Sequence, residues 1–310
     1  MKHGLSYGWA IAACGILASA GGMWWLMRPE SQPVAISSLP APIQPVQTER
    51  LSPVRNPELN WRQQIGAVAG LKAPLAPEEL EFLLAELRLV PADHEAEKQW
   101  VVQNEIMEVL REKGMAPDRL TPELVALIRD ASISEVTRDY AVQHLAQWLF
   151  PQLPGVPKEN DAQRRAEGLD ALIVAASDPV LNRGTIQGTA LNVLMGIFAQ
   201  LPPEEAGKLW GRLEPVVIAE VAAPTQNDIA RKSTAIRVAG LRKTAACYDV
   251  IRRLATDESE HPALRLSAVA SLGRYGHPQD QEILTELSRS AGPLQPAALT
   301  ALRQFNAPSR

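Results

Sequence analysis

Residues 261–273 read His261-Pro262-Ala263-Leu264-Arg265-Leu266-Ser267-Ala268-Val269-Ala270-Ser271-Leu272-Gly273, and this stretch decides the fold. Proline at its second position suits the first turn of a helix, where the amides have no intrahelical partner. Ala268 and Leu272 stand four residues apart and share one helix face, with the bulky Val269 beside the alanine. A small residue lets a second helix approach closely while its large neighbour fills the groove.

The same arrangement recurs along the chain, as Ala141-Val142…Leu145, Ala190-Leu191…Leu194, Ala235-Ile236…Ala239 and Ala298-Leu299…Leu302. With Ala268 included, the steps between alanines are 49, 45, 33 and 30 residues, the range of helical-hairpin repeats. A long polar side chain stands three residues before each alanine: Arg138, Gln187, Lys232, Arg265 and Gln295. Helix starts are signalled by Pro77-Glu78-Glu79-Leu80, Pro122-Glu123-Leu124 and Pro203-Glu204-Glu205, with Thr121 in place for an N-cap. Alanine and leucine dominate the apolar residues and aromatics are only 5%, a bias toward helix. The expectation is an all-α protein, with an α-solenoid of helical hairpins over 119–310. Residues 58–118 hold three helical patterns without the alanine signature and suit an N-terminal cap.

The 261–273 stretch resembles the first helix of a HEAT repeat of the phycobilisome-lyase type, which reads Asp-Pro-x-Val-Arg, then Ala-Ala, then Leu-Gly. Ser134-Glu135-Val136-Thr137-Arg138…Ala141-Val142…Leu145 is a looser second copy, and the resemblance extends over roughly residues 120–305. His261 stands where that pattern has aspartate, and Gln187 and Gln295 stand where it has arginine. The resemblance implies an architecture used for protein binding, in some members for bilin lyase or DNA glycosylase chemistry.

The amino-terminal region has a different character. From Trp9 to Met27 the chain carries no charge, and as a helix this run would span roughly 28 Å, close to a bilayer's hydrocarbon thickness. Trp24, Trp25 and Arg28 follow the interfacial pattern at its end, and Lys2 favours a cytoplasmic amino terminus with the bulk of the chain outside. Membrane anchorage is one reading. Cleavage after Ala18-Ser19-Ala20 as a secretory signal is the other, and Ile11-Ala12-Ala13-Cys14 is a short lipobox-like stretch. Ala10, Cys14, Ala18 and Gly22 form a stripe of small residues that would let two such helices pair as a homodimer. Prolines at 29, 33, 40, 42, 45, 53 and 57 then predict an extended, solvated linker over 28–57.

Chemistry is sparse. The formal charge of −4, with no basic cluster beyond isolated doublets such as Arg164-Arg165, Arg242-Lys243 and Arg252-Arg253, argues against a nucleic-acid partner. His3, His94, His144, His261 and His277 share no metal-ligand spacing, and no phosphate loop or nucleophile elbow occurs. Cys247 belongs to an apolar stripe with Ile251 and Leu254 and reads as a buried structural thiol. His144 reads as a partly exposed helix residue, and Trp61, Trp100, Trp148 and Trp210 as core. No cofactor and no catalytic set is expected. The expected function is a scaffold that binds a protein partner outside the cytoplasm; the alternatives are a HEAT-like enzyme or a passive part of an envelope complex. The expected contact surface lies on the second helices of the hairpins: Lys208, Arg212, Asp249, Arg252, Glu282 and Glu286.

Overall fold

The computed structural model describes residues 50–56, 58–90, 96–178, 185–224 and 228–306, all within one compact unit, Pro45–Arg310. The apolar run 9–27, its stripe of Ala10, Cys14, Ala18 and Gly22, and linker residues 28–49 lie outside the described residues. Among the described residues there are thirteen α-helices and no strand. They are α1 (Trp61–Ala69), α2 (Pro77–Glu86), α3 (Ala96–Glu112), α4 (Leu120–Arg129), α5 (Glu135–Leu149), α6 (Ala162–Ser177) and α7 (Thr185–Phe198). The chain continues through α8 (Pro203–Ala222), α9 (Ile229–Arg242), α10 (Tyr248–Thr256), α11 (Pro262–Tyr275), α12 (Gln281–Arg289) and α13 (Gln295–Phe305).

Helices α1, α3, α5, α7, α9, α11 and α13 pack on one another in that order and form one layer. Helices α4, α6, α8 and α10 pack in series on its other side, more loosely toward the carboxyl end. The pairs α4–α5, α6–α7, α8–α9, α10–α11 and α12–α13 are the hairpins that join the layers. The five register alanines Ala141, Ala190, Ala235, Ala268 and Ala298 all lie in the first layer and are all fully buried. Their small side chains therefore set the helix spacing there, as the periodicity requires.

The closest approaches come last in the chain. A Cβ added at Gly240 of α9 would stand 2.5 Å from the Ser271 side chain of α11. One added at Gly273 of α11 would stand 2.6 Å from the Ala301 Cα of α13. These backbones nearly touch, and they do so where the alanine steps shorten to 33 and 30 residues.

The polar residue three before each alanine has a common task. Arg138 donates from Nε (3.0 Å) and Nη2 (2.8 Å) to the Ile128 carbonyl at the end of α4. Gln187 Nε2 donates to Ala176 O at the end of α6 (2.7 Å), and Gln295 Nε2 to Ser288 O of α12 (3.1 Å). Lys232 Nζ donates to Ala223 O just past α8. The last carbonyls of a helix have no intrahelical donor, so each of these side chains satisfies the preceding helix; Arg138, Gln187 and Lys232 are buried in doing so and Gln295 is half-buried. Arg265 in α11 makes no such bond among the described residues.

The same device reaches further forward than the alanines do. Gln103 of α3 is fully buried and donates to the carbonyls of Glu86, Leu87 and Leu89 behind α2. Its register partners are Ile106, Met107 and Leu110, an isoleucine where later copies have alanine. Gln64 of α1 donates to Asn56 O after the 3₁₀ turn Ser52–Arg55 (3.0 Å). Helices α1 and α3 thus continue the alanine layer, and the packing shows no break near residue 118.

Several expectations are corrected here. Thr121 is not an N-cap: α4 already starts at Leu120, and the buried Thr121 hydroxyl donates to Glu159 Oε2 (2.6 Å) while accepting from Trp148 Nε1 (3.1 Å). The end of the predicted linker is packed, with Leu51 and Val54 buried and Arg50 and Arg55 paired with Glu79 and Glu86 of α2. Trp61, at the first position of α1, is 42% exposed with the Arg62 guanidinium over its ring; of the four tryptophans only Trp148 is fully buried. Leu299, beside the last alanine, is 42% exposed because no further helix of the described chain follows α13.

Candidate partner-binding surfaces

The described residues contain no group of three or more metal-ligating side chains close enough to hold an ion. Their buried ionisable groups are structural. Burial, and then the charge of Glu214, push the Cys247 thiol up to about 11, so it stays protonated in the core. His144 is buried, not partly exposed as expected, because Arg111 and Asn104 of α3 enclose it. Arg111 Nε donates to its Nδ1 (3.3 Å) and Nε2 lies 3.0 Å from Asn104 Oδ1. Burial, followed by the Arg111 charge, lowers its pKa to about 3 and keeps the imidazole neutral. Burial opposes a charge on Glu159, but Arg164, Thr121 and the Asp161 amide outweigh it and hold the carboxyl below its usual range. His261 caps α11 by accepting from the Ala263 amide at Nδ1 (3.2 Å), the job an aspartate would do there.

Two faces remain for binding. The six residues expected to form a contact surface are all exposed and all lie on the layer opposite the alanines. Their helices α8, α10 and α12 pack more closely on the helix that follows than on the one before, so each opens a hairpin. Three of the six already have partners. Lys208 Nζ is 2.7 Å from Glu204 Oε1, Arg212 Nη2 2.6 Å from Asp170 Oδ1, and Arg252 Nε 3.3 Å from Asp280 Oδ1. Asp280 is itself fully buried beneath Tyr248, whose hydroxyl donates to it (2.9 Å), and His277 packs on the Tyr248 ring at 4.4 Å. Glu282 and Glu286 line a shallow depression of about 680 Å³ with Gln281, Thr285 and Arg289.

Along the alanine layer, the outward positions lie two before, two after and six after each register residue. On α3 and α5 they include Glu108, Glu112, Gln143 and Gln147, with Glu105 beside them and the Asp139 carboxyl largely enclosed against Gln143. On α7 they are the neutral Asn192 and Gly196. On α9 and α11 they are Ser233, Arg237 and Leu241, then Leu266, Ala270 and Arg274. This face changes sign along its length, acidic at α3–α5 and basic at α9–α11. No motif marked it in the sequence; it appears only when the register places residues 105 and 274 on one side.

Stacked hairpins with buried alanines, helix-capping donors and near-touching glycines at Gly240 and Gly273 are the features that a family comparison can weigh. Residues 218–303 match the family model for HEAT repeats. The HEAT match covers the end of α8 through most of α13, the part in which the alanine layer is most closely packed. No curated protein matches the chain. The phycobilisome-lyase resemblance of 261–273 falls inside the matched HEAT region, which the match describes only at the level of HEAT repeats.

Proposed function

We propose that this chain is a protein-binding scaffold, tethered to a membrane through the run 9–27 with its HEAT array outside the cytoplasm. The observation that carries the scaffold reading is the HEAT match on a stack of hairpins that spends its buried polar groups on helix capping. Such stacks expose two long, independently variable faces, and recognition of other proteins is what they do best. The tether rests on the uncharged segment Trp9–Met27 and the charge on either side of it. Among the described residues no helix is long and apolar enough to cross a membrane.

Two experiments test the two halves. A reporter fused after residue 60 is expected to be active only outside the cytoplasm, and a cytoplasmic signal would defeat the tether. A mature chain starting near Gly21 would replace the anchor by a cleaved signal. For the scaffold, the full chain cross-linked in its native membranes should give discrete adducts with another protein, with cross-links mapping to outward positions of the array. Adducts confined to nonspecific abundant proteins, unchanged by any surface substitution, would defeat it.

A further inference from the structure

The alanine-layer face carries charge that the chain itself neutralises only in part, Glu112 being paired with Arg111 at 3.3 Å. Arg274 of α11 is half-buried, and its Nη1 is enclosed without a hydrogen-bond partner. Burial first, and then the neighbouring positive Arg237 of α9, both work against its charge. Neither arginine has a carboxylate partner among the described residues. The other end mirrors this. Glu105 and Glu108 of α3 are half-buried, and burial, then the acidic side chains beside each, raise both carboxyl pKa values against the smaller opposing pull of Lys113 on Glu105 and of Arg111 on Glu108. Like charges placed side by side and partly desolvated cost the free chain stability, and an opposite charge from outside repays it. Compare the basic residues of the opposite layer, where Lys208, Arg212 and Arg252 each already face a carboxylate.

We propose that the alanine-layer face binds one segment of a partner protein whose own charges run the opposite way, carboxylates at Arg237 and Arg274 and basic groups at Glu105 and Glu108. The partner is a polypeptide and not a nucleic acid, because uniform phosphate charge would meet the carboxylates of α3 and α5 on the same face. Leu241, 50% exposed, and half-buried Leu266 and Ala270 hold outward positions on the same two helices as the arginines and offer it apolar contact. The neutral stretch at α7, with Asn192 and Gly196 outward, lies midway and asks for a neutral middle in the partner. From α3 to α11 there are four helix spacings of about 8–10 Å each, so the charged ends are on the order of 30–40 Å apart. An extended segment covers that with about 12 residues between its charged blocks. This inference rests on the scaffold reading and names the chemistry of its partner.

The test uses the full chain in detergent and two synthetic peptides of one composition. One has a lysine block, a Gly-Ser spacer of about 12 residues and a glutamate block; the other alternates lysine and glutamate through the same spacer. Anisotropy titration is expected to show the block peptide binding at least about tenfold more tightly, with the preference shrinking as salt is raised. Arg237→Glu with Arg274→Glu should abolish the preference, as should Glu105→Lys with Glu108→Lys. The chain with both ends reversed should regain it. If a reversed chain does not fold, Arg274→Gln and Glu108→Gln give the same comparison in milder form. Equal binding of the two peptides, or indifference to the substitutions, overturns the proposal. So does a chain that self-associates through these residues, since the occupant would then be a second copy. If the peptide preference is absent while membrane cross-links to a partner persist, this inference fails and the scaffold reading stands.

Discussion

The residue that repays attention is the donor three places before each alanine. A buried amide or guanidinium that loses its carbonyl, or a helix end that loses its donor, leaves a polar group unsatisfied in the core, at about 1–3 kcal/mol. Gln187→Leu removes the 2.7 Å bond to Ala176 O, and should lower stability by about that amount in urea denaturation. Arg265→Leu, in the one copy without such a bond, should cost clearly less; equal losses would mean that the capping role is not what these residues contribute. His144 makes a prediction of different sign. Its pKa is lowered to about 3 in the folded chain, against 6.5 for the free side chain. Between those values the unfolded chain holds the extra proton, so stability must fall as pH drops from 6.5 toward 3. The slope contributed by this group cannot exceed about 1.4 kcal/mol per pH unit. Urea midpoints measured from pH 7.5 to 5 should show that fall in the native chain, and His144→Gln should flatten it.

Between elements, the decisive quantity is how near two backbones come. A methyl at Gly273 would sit 2.6 Å from both Cα and Cβ of Ala301 in the next helix, so a backbone and not a flexible side-chain end would have to shift. Gly273→Ala should therefore destabilise the array by about 1–3 kcal/mol, the usual cost of overpacking. Gly211 in α8 has nothing within 4 Å of a Cβ, so the same change there should stabilise by about 0.5–1 kcal/mol through helix propensity alone. Thermal unfolding of the two variants should move in opposite directions, and a shift of the same sign would contradict the spacing described. Ala268→Phe belongs with the first, being fully buried in the α11 contact layer. The contrast also shows what the sequence could reveal. Ala141, Ala190, Ala235, Ala268 and Ala298 were legible because one layer imposes one size limit at one register. Ile106 hid the earlier copy: α3 tolerates a larger residue, so only the donor Gln103, three places before it, betrays the repeat. Thr121 misled because its hydroxyl is claimed by Glu159, 38 residues on, which no local capping rule can foresee. The surface was less legible than the core. Lys208, Arg212, Asp249, Arg252, Glu282 and Glu286 were identifiable as exposed, but the sign change from Glu105 to Arg274 joins residues 169 apart in sequence, which only the stacking puts on one face.

At the scale of the whole array, each hairpin touches only its neighbours, so stability is a sum of hairpin terms and interface terms instead of one indivisible quantity. Those interface terms are unequal here. Helix α11 is clasped on both sides, by α9 through Gly240 and Ser271 and by α13 through Gly273 and Ala301. It also carries Tyr275, whose hydroxyl reaches back to Thr244 O (2.8 Å) across the preceding turn. Among the described residues the end helices have fewer neighbours: α13 leaves Leu299 exposed, and α1, with only the Ser52–Arg55 turn before it, begins with the exposed Trp61. Local opening in such a stack should start where one interface is missing and stop where two close ones meet. Hydrogen exchange of the full chain, followed by mass spectrometry, should find the slowest amides in α11 and the adjoining half of α9. The fastest helical amides should lie in α1 and α13. Substituting Gly273 by alanine should then speed exchange in α11 and α13 while leaving α3 and α5 unchanged, because no interface connects them directly. Uniform protection along the array would instead mean that the stack opens as one unit, and the unequal helix spacing would then have no energetic consequence.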